Sequence, residues 1–286
     1  MNPEGFLTPC SFPVSSERGD ERDHVIDGLV SLVLVDYNAG PGLLRCLASV
    51  FERDDVATEV ILVDNASSDR SALEALDRYP EIHLIQNSAN LGFARAANRG
   101  LALARGEWIG LLNPDVEIPP GALGKLVAFL TEHPRVGAVG PALVCPDGTP
   151  QPYSHGGDPS PAYLARRAWA RLNGRALHVW AGGGARPVDW VCGACLLARC
   201  TVWQQVGLLD EGFFLYFEDV DWCRRCRDKG FDVYFVPEVA VTHLSRPDYH
   251  DRPRRRHYFD GLKRYYRKYY GPLVGLALNV ALVGRR

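Results

Sequence analysis

Four apolar runs, each closing on polar residues and each followed by a helical pattern, constrain this chain more than any other feature. They read "LVSLVLVDYN" (29 to 38), "EVILVDNASSD" (59 to 69), "IHLIQN" (82 to 87) and "WIGLLNPD" (108 to 115). Continuous β-branched runs of this kind suit strands buried on both faces of a parallel sheet. The segments between them, "GLLRCLASVFER", "LEALDRY" and "GFARAANRGLALA", carry apolar residues at helical spacing. The alternation predicts an α/β domain whose working loops lie at the carboxyl ends of the strands, where Asp36, Asp64 and Asp115 fall.

Beyond Asp115 the pattern weakens. "GALGKLVAFLTEH" predicts an amphipathic helix and "VGAVGPALV" a strand, whereas residues 146 to 187 are rich in Pro, Gly and Arg and predict a long irregular loop. "VDWVCGACLLAR" (188 to 199) predicts one strand, a short helix starts at Thr201, "DVDWCRRCRDKG" is helical, and "VYFVPEVAVTHLS" (233 to 245) is a further strand.

With 286 residues, 47% of them hydrophobic, the chain can bury one large core. The expected organisation is a mobile extension over 1 to 28, a catalytic domain over 29 to 250 and a basic, aromatic helical tail over 251 to 286. A formal net charge of −2 gives no electrostatic case for nucleic acid as a partner. The tail segment "RPRRRHYFDGLKRYYRK" is nevertheless cationic and laced with tyrosines. It reads equally as a solvated helix face or as a surface for a membrane or an anionic substrate, with a folded helix pair covering the active-site domain and a homodimer contact as further readings.

No secretory pattern opens the chain, and the longest apolar stretch, "GPLVGLALNVALVG" at 271 to 284, is short of the ~20 residues a spanning helix needs. The expected location is the cytoplasm, with peripheral contact to the inner face of the cytoplasmic membrane. There the eight cysteines are expected as thiols. Cys192 and Cys195, with Cys223 and Cys226, form two C-x-x-C pairs that invite a zinc reading. A strand would point the first pair to opposite faces, so small buried thiols are the expectation. Only four of the 32 basic residues are lysines, a bias that suits a GC-rich bacterial genome.

Chemistry concentrates in a few places. Asp115 stands between a buried run and a proline turn, as a turn residue or as a carboxylate sharing a divalent ion with a diphosphate. His243 closes another apolar run and reads as structural or as a further ligand. Asp64, Asn87, Asn90, Arg95 and Asn98 suit a base, a ribose and a diphosphate, although Asx-rich loops are also ordinary turns. "FFLYFEDVDW" sets Glu218, Asp219 and Asp221 after an aromatic run.

In order along the chain, "VSLVLVDYN", "VILVDNASSD", "NLGFARAANRG", "LLNPDVEI", "VDWVCGACLLARC", "GLLDEGFFLYFEDVDWCRRCRDKGF" and "VTHLS" resemble the family-2 glycosyltransferases, nearest their rhamnosyltransferase-like subgroup. The resemblance covers about Val30 to Ser245. It implies the GT-A nucleotide-diphospho-sugar transferase fold, with a Rossmann-like, mostly parallel central sheet flanked by helices and a C-terminal helical tail. It implies that Tyr37, Asn38, Asp64, Asn90, Gly92, Arg95, Asn113 and Asp115 meet the donor. "NPD" stands where the family has Asp-x-Asp, so Asp115 would take a divalent cation, Mg²⁺ or Mn²⁺, with His243 as a further ligand. Asn113 replaces the first carboxylate. Asp219 would be the catalytic base, and Trp190, Gly193 and Glu218 would border the acceptor. Asp36 departs from the neutral residue usual at its place, and a carboxylate there would repel a diphosphate unless it faced the base or ribose.

The implied reaction is inverting transfer of a sugar, with L-rhamnose from dTDP-rhamnose as the best fit and a UDP-sugar as a second donor. The acceptor would be a hydroxyl of a glycan or polyprenyl-linked precursor in polysaccharide or cell-envelope synthesis. Two other classes stay open on the residues alone: a non-catalytic nucleotide-sugar or glycan binding module, and a sugar nucleotidyltransferase.

Overall fold

The computed structural model describes residues 25–52, 55–174, 183–244, 252–271 and 274. The extension expected over 1 to 28 lies outside them up to residue 24, and most of the apolar stretch at 271 to 284 does as well.

The first half follows the predicted alternation. It runs β1 (Ile26–Asp36), α1 (Pro41–Phe51), β2 (Thr58–Asp64), α2 (Ser71–Arg78), β3 (His83–Gln86), α3 (Phe93–Leu101), β4 (Gly106–Leu112) and the short β5 (Val116–Glu117). Then come α4 (Ala122–Glu132), β6 (Val136–Val144), β7 (His155–Gly156), α5 (Pro161–Leu172), β8 (Arg186–Pro187), β9 (Trp190–Val191) and β10 (Cys195–Arg199). The chain continues through α6 (Cys200–Val206), α7 (Glu218–Asp228), β11 (Asp232–His243) and α8 (Arg252–Tyr270).

The main sheet has the order β3-β2-β1-β4-β10-β6-β11-β5, with β8 on the side of β11. β3, β2, β1 and β4 are parallel, β10 runs antiparallel between β4 and β6, and β6 pairs with β11 in parallel. Alternation along β1 divides the core into two layers. Val30, Leu32 and Leu34 pack toward α1, α2 and α4, whereas Val33 and Val35 pack toward α3, α6, α7 and α8. Strand order reverses at β1, so a crevice opens beyond the carboxyl ends of β1 and β4, the position at which open α/β sheets bind ligands.

Three expectations need correcting. β1 starts at Ile26, so residues 26 to 28 belong to the sheet rather than to an extension. Residues 146 to 187 contain β7 and the twelve-residue α5, a helix whose apolar spacing was masked by the surrounding Pro, Gly and Arg. The single strand expected at 188 to 199 is two, because a turn closed by Cys195 N–H on Cys192 O (3.3 Å) sends β9 to a second small sheet with β7.

α8 is half surface and half core. Arg254, Arg255 and Arg256 are exposed, whereas Leu262, Tyr265 and Tyr266 join the core beside Phe217 and Trp222. Mid-helix Gly261 costs about 1 kcal/mol relative to Ala. Its reason is close approach: a Cβ there would stand 2.7 Å from the carbonyl oxygen of Tyr216.

Candidate active site

The strand ends that face the crevice are wired to one another locally. Asn38, with φ of 55°, turns its Oδ1 to accept from Ser68 N–H (2.7 Å) and Asp69 N–H (3.3 Å), which ties the loop after β1 to the loop after β2. Asp64 accepts from Ser67 N–H at 2.9 Å. Tyr37 is left 52% exposed at the mouth of the crevice, a flat ring free to meet a ring of its partner.

Asp36 does not reach the crevice. It is fully buried, accepting from Ala39 N–H (3.0 Å) and Ser71 Oγ–H (2.7 Å). Burial raises its pKa, against the opposing pull of Ser71 and Ala39. The repulsion expected from this carboxylate is removed by turning it inward.

Asn65, next to Asp64, is a residue the sequence did not single out. Its Nδ2 donates to Asn90 Oδ1 (2.9 Å), and its Oδ1 accepts from Asn87 Nδ2 (2.9 Å) and Leu91 N–H (3.0 Å). Asn90 Oδ1 also takes Gly92 N–H (2.9 Å), so Asn90 shapes the loop before α3. Gly92 has φ of 82°, and a Cβ there would lie 2.6 Å from Phe214 O. Arg95 on α3 donates to Glu211 at 3.1 Å, and Asn98 is buried against Leu209 O (2.9 Å).

Asp115 and His243 meet through strand pairing. β5 lies antiparallel to β11 with His243 opposite Val116, and Leu244 N–H donates to Asp115 O (2.9 Å). His243 Nε2 then stands 3.2 Å from Asp115 Oδ1. Gln151 sets the ring. Its Nε2 donates to His243 O (2.8 Å), which points Oε1 at ring Nδ1 (2.8 Å). Nδ1 therefore carries the proton, and in the neutral ring the Nε2 lone pair faces a carboxylate oxygen. Two acceptors face to face require a second ring proton or a cation between them, so the pair suits either an imidazolium–carboxylate ion pair or two of the ligands of a divalent ion. Gln151, buried within the stretch read as an irregular loop, was not legible as part of the site.

The carboxylates of the "FED" stretch sit at the start of α7. Tyr216 (φ 70°) and Phe217 (φ 74°) both occupy the left-handed region, at a cost of about 1–2 kcal/mol each. That double turn delivers Glu218 and Asp219 into the first turn of the helix. Asp219, partly exposed, accepts from Gly193 N–H (2.9 Å) and from Val220 N–H (2.8 Å). Ala194 O in turn accepts from Asn113 N–H (2.9 Å), so Asp219, Gly193, Asn113 and Asp115 form one continuous strip at the end of β4. Burial raises the Asp219 pKa, and the bonds from Gly193 and Val220 offset this only in part. Glu218 is buried, its Oε2 has no hydrogen-bond partner, and burial together with the neighbouring Asp219 charge pushes its pKa well above the carboxylate range. Two adjacent carboxyls are thus held in different environments, which is how acid and base roles are separated. Asp221 is fully buried and bound by Arg225 (2.9 Å), Lys268 (2.6 Å) and Tyr269 (2.8 Å).

Trp190 is buried, with Nε1–H on Gly157 O (2.9 Å) and its ring over Gly156, so it meets the site as a wall behind Gly193. Cys192, Cys195, Cys223 and Cys226 are free, and among the described residues no group of three or more His, Cys, Asp or Glu is arranged to hold a metal by itself. The thiol expectation fails at Cys200, which is disulfide-bonded; an argument from compartment carries no information on which sulfurs the fold brings together.

Residues 31–188 match the family described as Glycosyl transferase family 2. The chain belongs to glycosyl transferase family 2. It is 34% identical over 244 residues to an N-acetylglucosaminyl-diphospho-decaprenol L-rhamnosyltransferase of Mycobacterium tuberculosis, a match covering 75% of this chain and 76% of that protein. A dTDP-rhamnosyl transferase, RfbF, of Shigella flexneri is 24% identical over 216 residues, covering 74% of this chain and 67% of that one.

Among solved structures, GalNAc-T7 with UDP, GalNAc and Mn²⁺ superposes with a TM-score of 0.59 at 18% identity, over 77% of this chain and 44% of that one. A mannosyltransferase from Pyrobaculum calidifontis in complex with GDP-Man and Mn²⁺ gives 0.57 at 22% identity, over 83% and 64%. The chain spans less than two thirds of either structure's length. The fold is therefore the GT-A fold, and this family-2 chain is a glycosyltransferase. Among the described residues no helix is long and apolar enough to cross a membrane.

Proposed function

We propose that this glycosyltransferase moves a deoxyhexose, L-rhamnose, from its dTDP-linked donor to a hydroxyl of a polyprenyl-diphosphate-linked sugar, with inversion, in cell-envelope polysaccharide synthesis. The observation that carries the reading is the strip Asp219, Gly193, Asn113, Asp115: one carboxylate suited to a proton and one suited to a metal–diphosphate, side by side at the topological switch point. The donor and acceptor follow the relatives, whose names give a decaprenol-linked acceptor and a dTDP-rhamnosyl activity.

Asp219 takes the proton from the acceptor hydroxyl as its oxygen attacks the anomeric carbon. Its raised pKa makes it a stronger base than an exposed Asp. Gly193 N–H on one oxygen and Val220 N–H on the other fix the carboxylate plane and leave a lone pair on each oxygen for the acceptor proton. Tyr37 covers the base of the nucleotide, and Asn38 and Asp64 line its ribose. Asp115 and His243 would hold the divalent cation, Mg²⁺ or Mn²⁺, which when bound offsets the charge on the departing diphosphate. Displacement from the far side needs no covalent glycosyl-enzyme intermediate. The exposed Arg254, Arg255 and Arg256 face an anionic bilayer that carries the acceptor.

The test incubates the enzyme with dTDP-rhamnose and a short-chain N-acetylglucosaminyl-diphospho-prenol, with Mn²⁺ or Mg²⁺. Release of dTDP together with a disaccharide lipid whose new anomeric centre is opposite to the donor's, read by NMR, is the expected result. Retention of configuration, or transfer only from a UDP- or GDP-sugar, would sink the corresponding part of the proposal.

A further inference from the structure

α8 grips the chain on both sides of the proposed base. Its contacts form a single stripe at helical spacing, laid along the segment from Asp210 to Asp221. At the upstream end the ring of His257 stacks on Phe214 at 4.7 Å, and Arg264 bonds Asp210 at 2.7 Å. In the middle, Gly261 lets the helix backbone lie against the Tyr216 carbonyl, while Tyr258 and Tyr265 pack on Phe217 at 5.2 and 5.9 Å. Downstream of the base, Lys268 and Tyr269 both bind the Asp221 carboxylate, at 2.6 and 2.8 Å.

Tyr216 and Phe217 are bulky residues in the left-handed region. Such a conformation persists only where surrounding structure over-determines it. The side chains that do so here come largely from α8, about 40 residues farther along the chain. The family match ends at residue 188 and includes neither α7 nor α8.

We propose that α8 positions Asp219 for proton abstraction, with Gly261 and Lys268 as the positioning residues. The proposal rests on Asp219 being the base. A methyl at Gly261 displaces the helix from Tyr216, the double left-handed turn relaxes, and the carboxylate shifts from its place beside Gly193. Loss of the Lys268 charge removes the ion that ties Asp210 (2.8 Å) to Asp221 (2.6 Å) across the segment, leaving Asp221 to Arg225 and Tyr269. Neither residue touches the crevice at the ends of β1 and β2; the gripped segment meets the donor side through Phe214, against Gly92 and Phe93, and through Glu211 on Arg95, so donor affinity changes far less than turnover.

The experiment compares the full chain with Gly261→Ala, Lys268→Met and Lys268→Arg. For the first two we expect turnover to fall at least tenfold, with the Kd for dTDP in Mn²⁺ and the donor KM changed less than twofold. Lys268→Arg should recover most of the rate. Hydrogen exchange should quicken at least tenfold at the amides of residues 216 to 221 and stay unchanged in β1, β2 and β4. Turnover within twofold of the parent, or donor affinity falling in step with turnover, would overturn the proposal, as would unchanged exchange at 216 to 221. If Gly261→Ala does not fold, the two Lys268 variants decide. The exchange measurement needs no substrate, so a wild-type protein inactive with every nucleotide sugar would count against the donor assignment, while exchange would still decide for or against the α8 contact.

Discussion

The proposed donor side of the molecule, from β1 to β5, and the side that carries the proposed base, from β9 to α8, reach order by different routes. On the donor side, each loop is tied by side chains close along the chain: Asn38 to Ser68, 30 residues on, and Asn65 to Asn90, 25 residues on. On the other side, Asp221 is bound by Tyr269, 48 residues on, and Asp210 by Lys268, 58 residues on. Local wiring follows from the β-α-β register, because parallel neighbours end at the same level and present their loops together. The base has no such register behind it, and its conformation depends on a helix that arrives last. The two sides join along β4–β10, at Asn113–Ala194 and Asp115–His243, and through α3 at Arg95–Glu211 and Asn98–Leu209.

The comparison breaks most readily at the base. Asp219→Asn keeps the shape but removes the proton acceptor, and turnover should fall about 10²–10⁴-fold with dTDP affinity unchanged in a titration. A parallel loss of affinity would mean that the two sides are not separable. The rate of the parent enzyme should also fall as pH drops through the raised Asp219 pKa, because the base works only when deprotonated. Its acid limb should therefore lie above the ordinary aspartate value of about 3.9.

At the seam, Gln151→Leu frees the His243 ring without removing a ligand. Mn²⁺ affinity, followed by electron paramagnetic resonance with dTDP present, should weaken about 10–100-fold. Turnover at saturating metal should be nearly restored. An unchanged Mn²⁺ affinity would refute the role given to Gln151.

Glu218→Gln sharpens the contrast in stability. A group whose folded pKa is raised contributes stability that is present below its unfolded pKa of about 4.3 and lost as pH rises through the folded value. The Gln variant has no such loss. Its Tm should match the parent near pH 4 and exceed it increasingly as pH is raised, and a gap that does not widen with pH would contradict the buried, neutral acid.

The smallest effect concerns the α8 anchor at Asp210. Burial pushes this carboxyl up, but bonds from Lys268, Gly212 N–H and Arg264 outweigh it and carry the pKa down to about 2. A depressed pKa contributes stability present above the unfolded value near 3.9 and lost as pH falls toward about 2. Exchange at α8 should therefore quicken across that window in the parent, and Asp210→Asn should remove the pH dependence.

How much was legible differs between the sides for the same reason. Asp64, Asn113 and Asp115 could be placed at strand ends because each follows a continuous apolar run, and a run of that kind fixes where a strand stops. Asp219 and His243 were named through their motifs, together with Gly193 and Asp115 beside them, whereas Gln151, which orients the imidazole, was not. Gln151 lies among prolines and glycines with no period to mark it, and the strand end that placed Asp36 beside the working loops gave no sign that Ser71 turns it inward. The arginines around the tyrosines of α8 left a solvated face and a helix covering the active-site domain equally open, and the burial of Tyr265 decides for the second over half of the helix. The C-x-x-C pair at Cys192 and Cys195 looked like one strand because Gly193 and Ala194 are as apolar as their neighbours; a turn between them was a tertiary outcome.

The sequence alone determined the α/β alternation, the level at which the donor loops end and the family to which the chain belongs, since these follow from short-range periodicity and contiguous motifs. Only the tertiary structure decided which way Asp36 faces, what orients His243 and what holds the segment before Asp219 in a left-handed turn. Each of these depends on side chains brought together across many intervening residues, and the packing that unites them leaves no periodic trace in the chain.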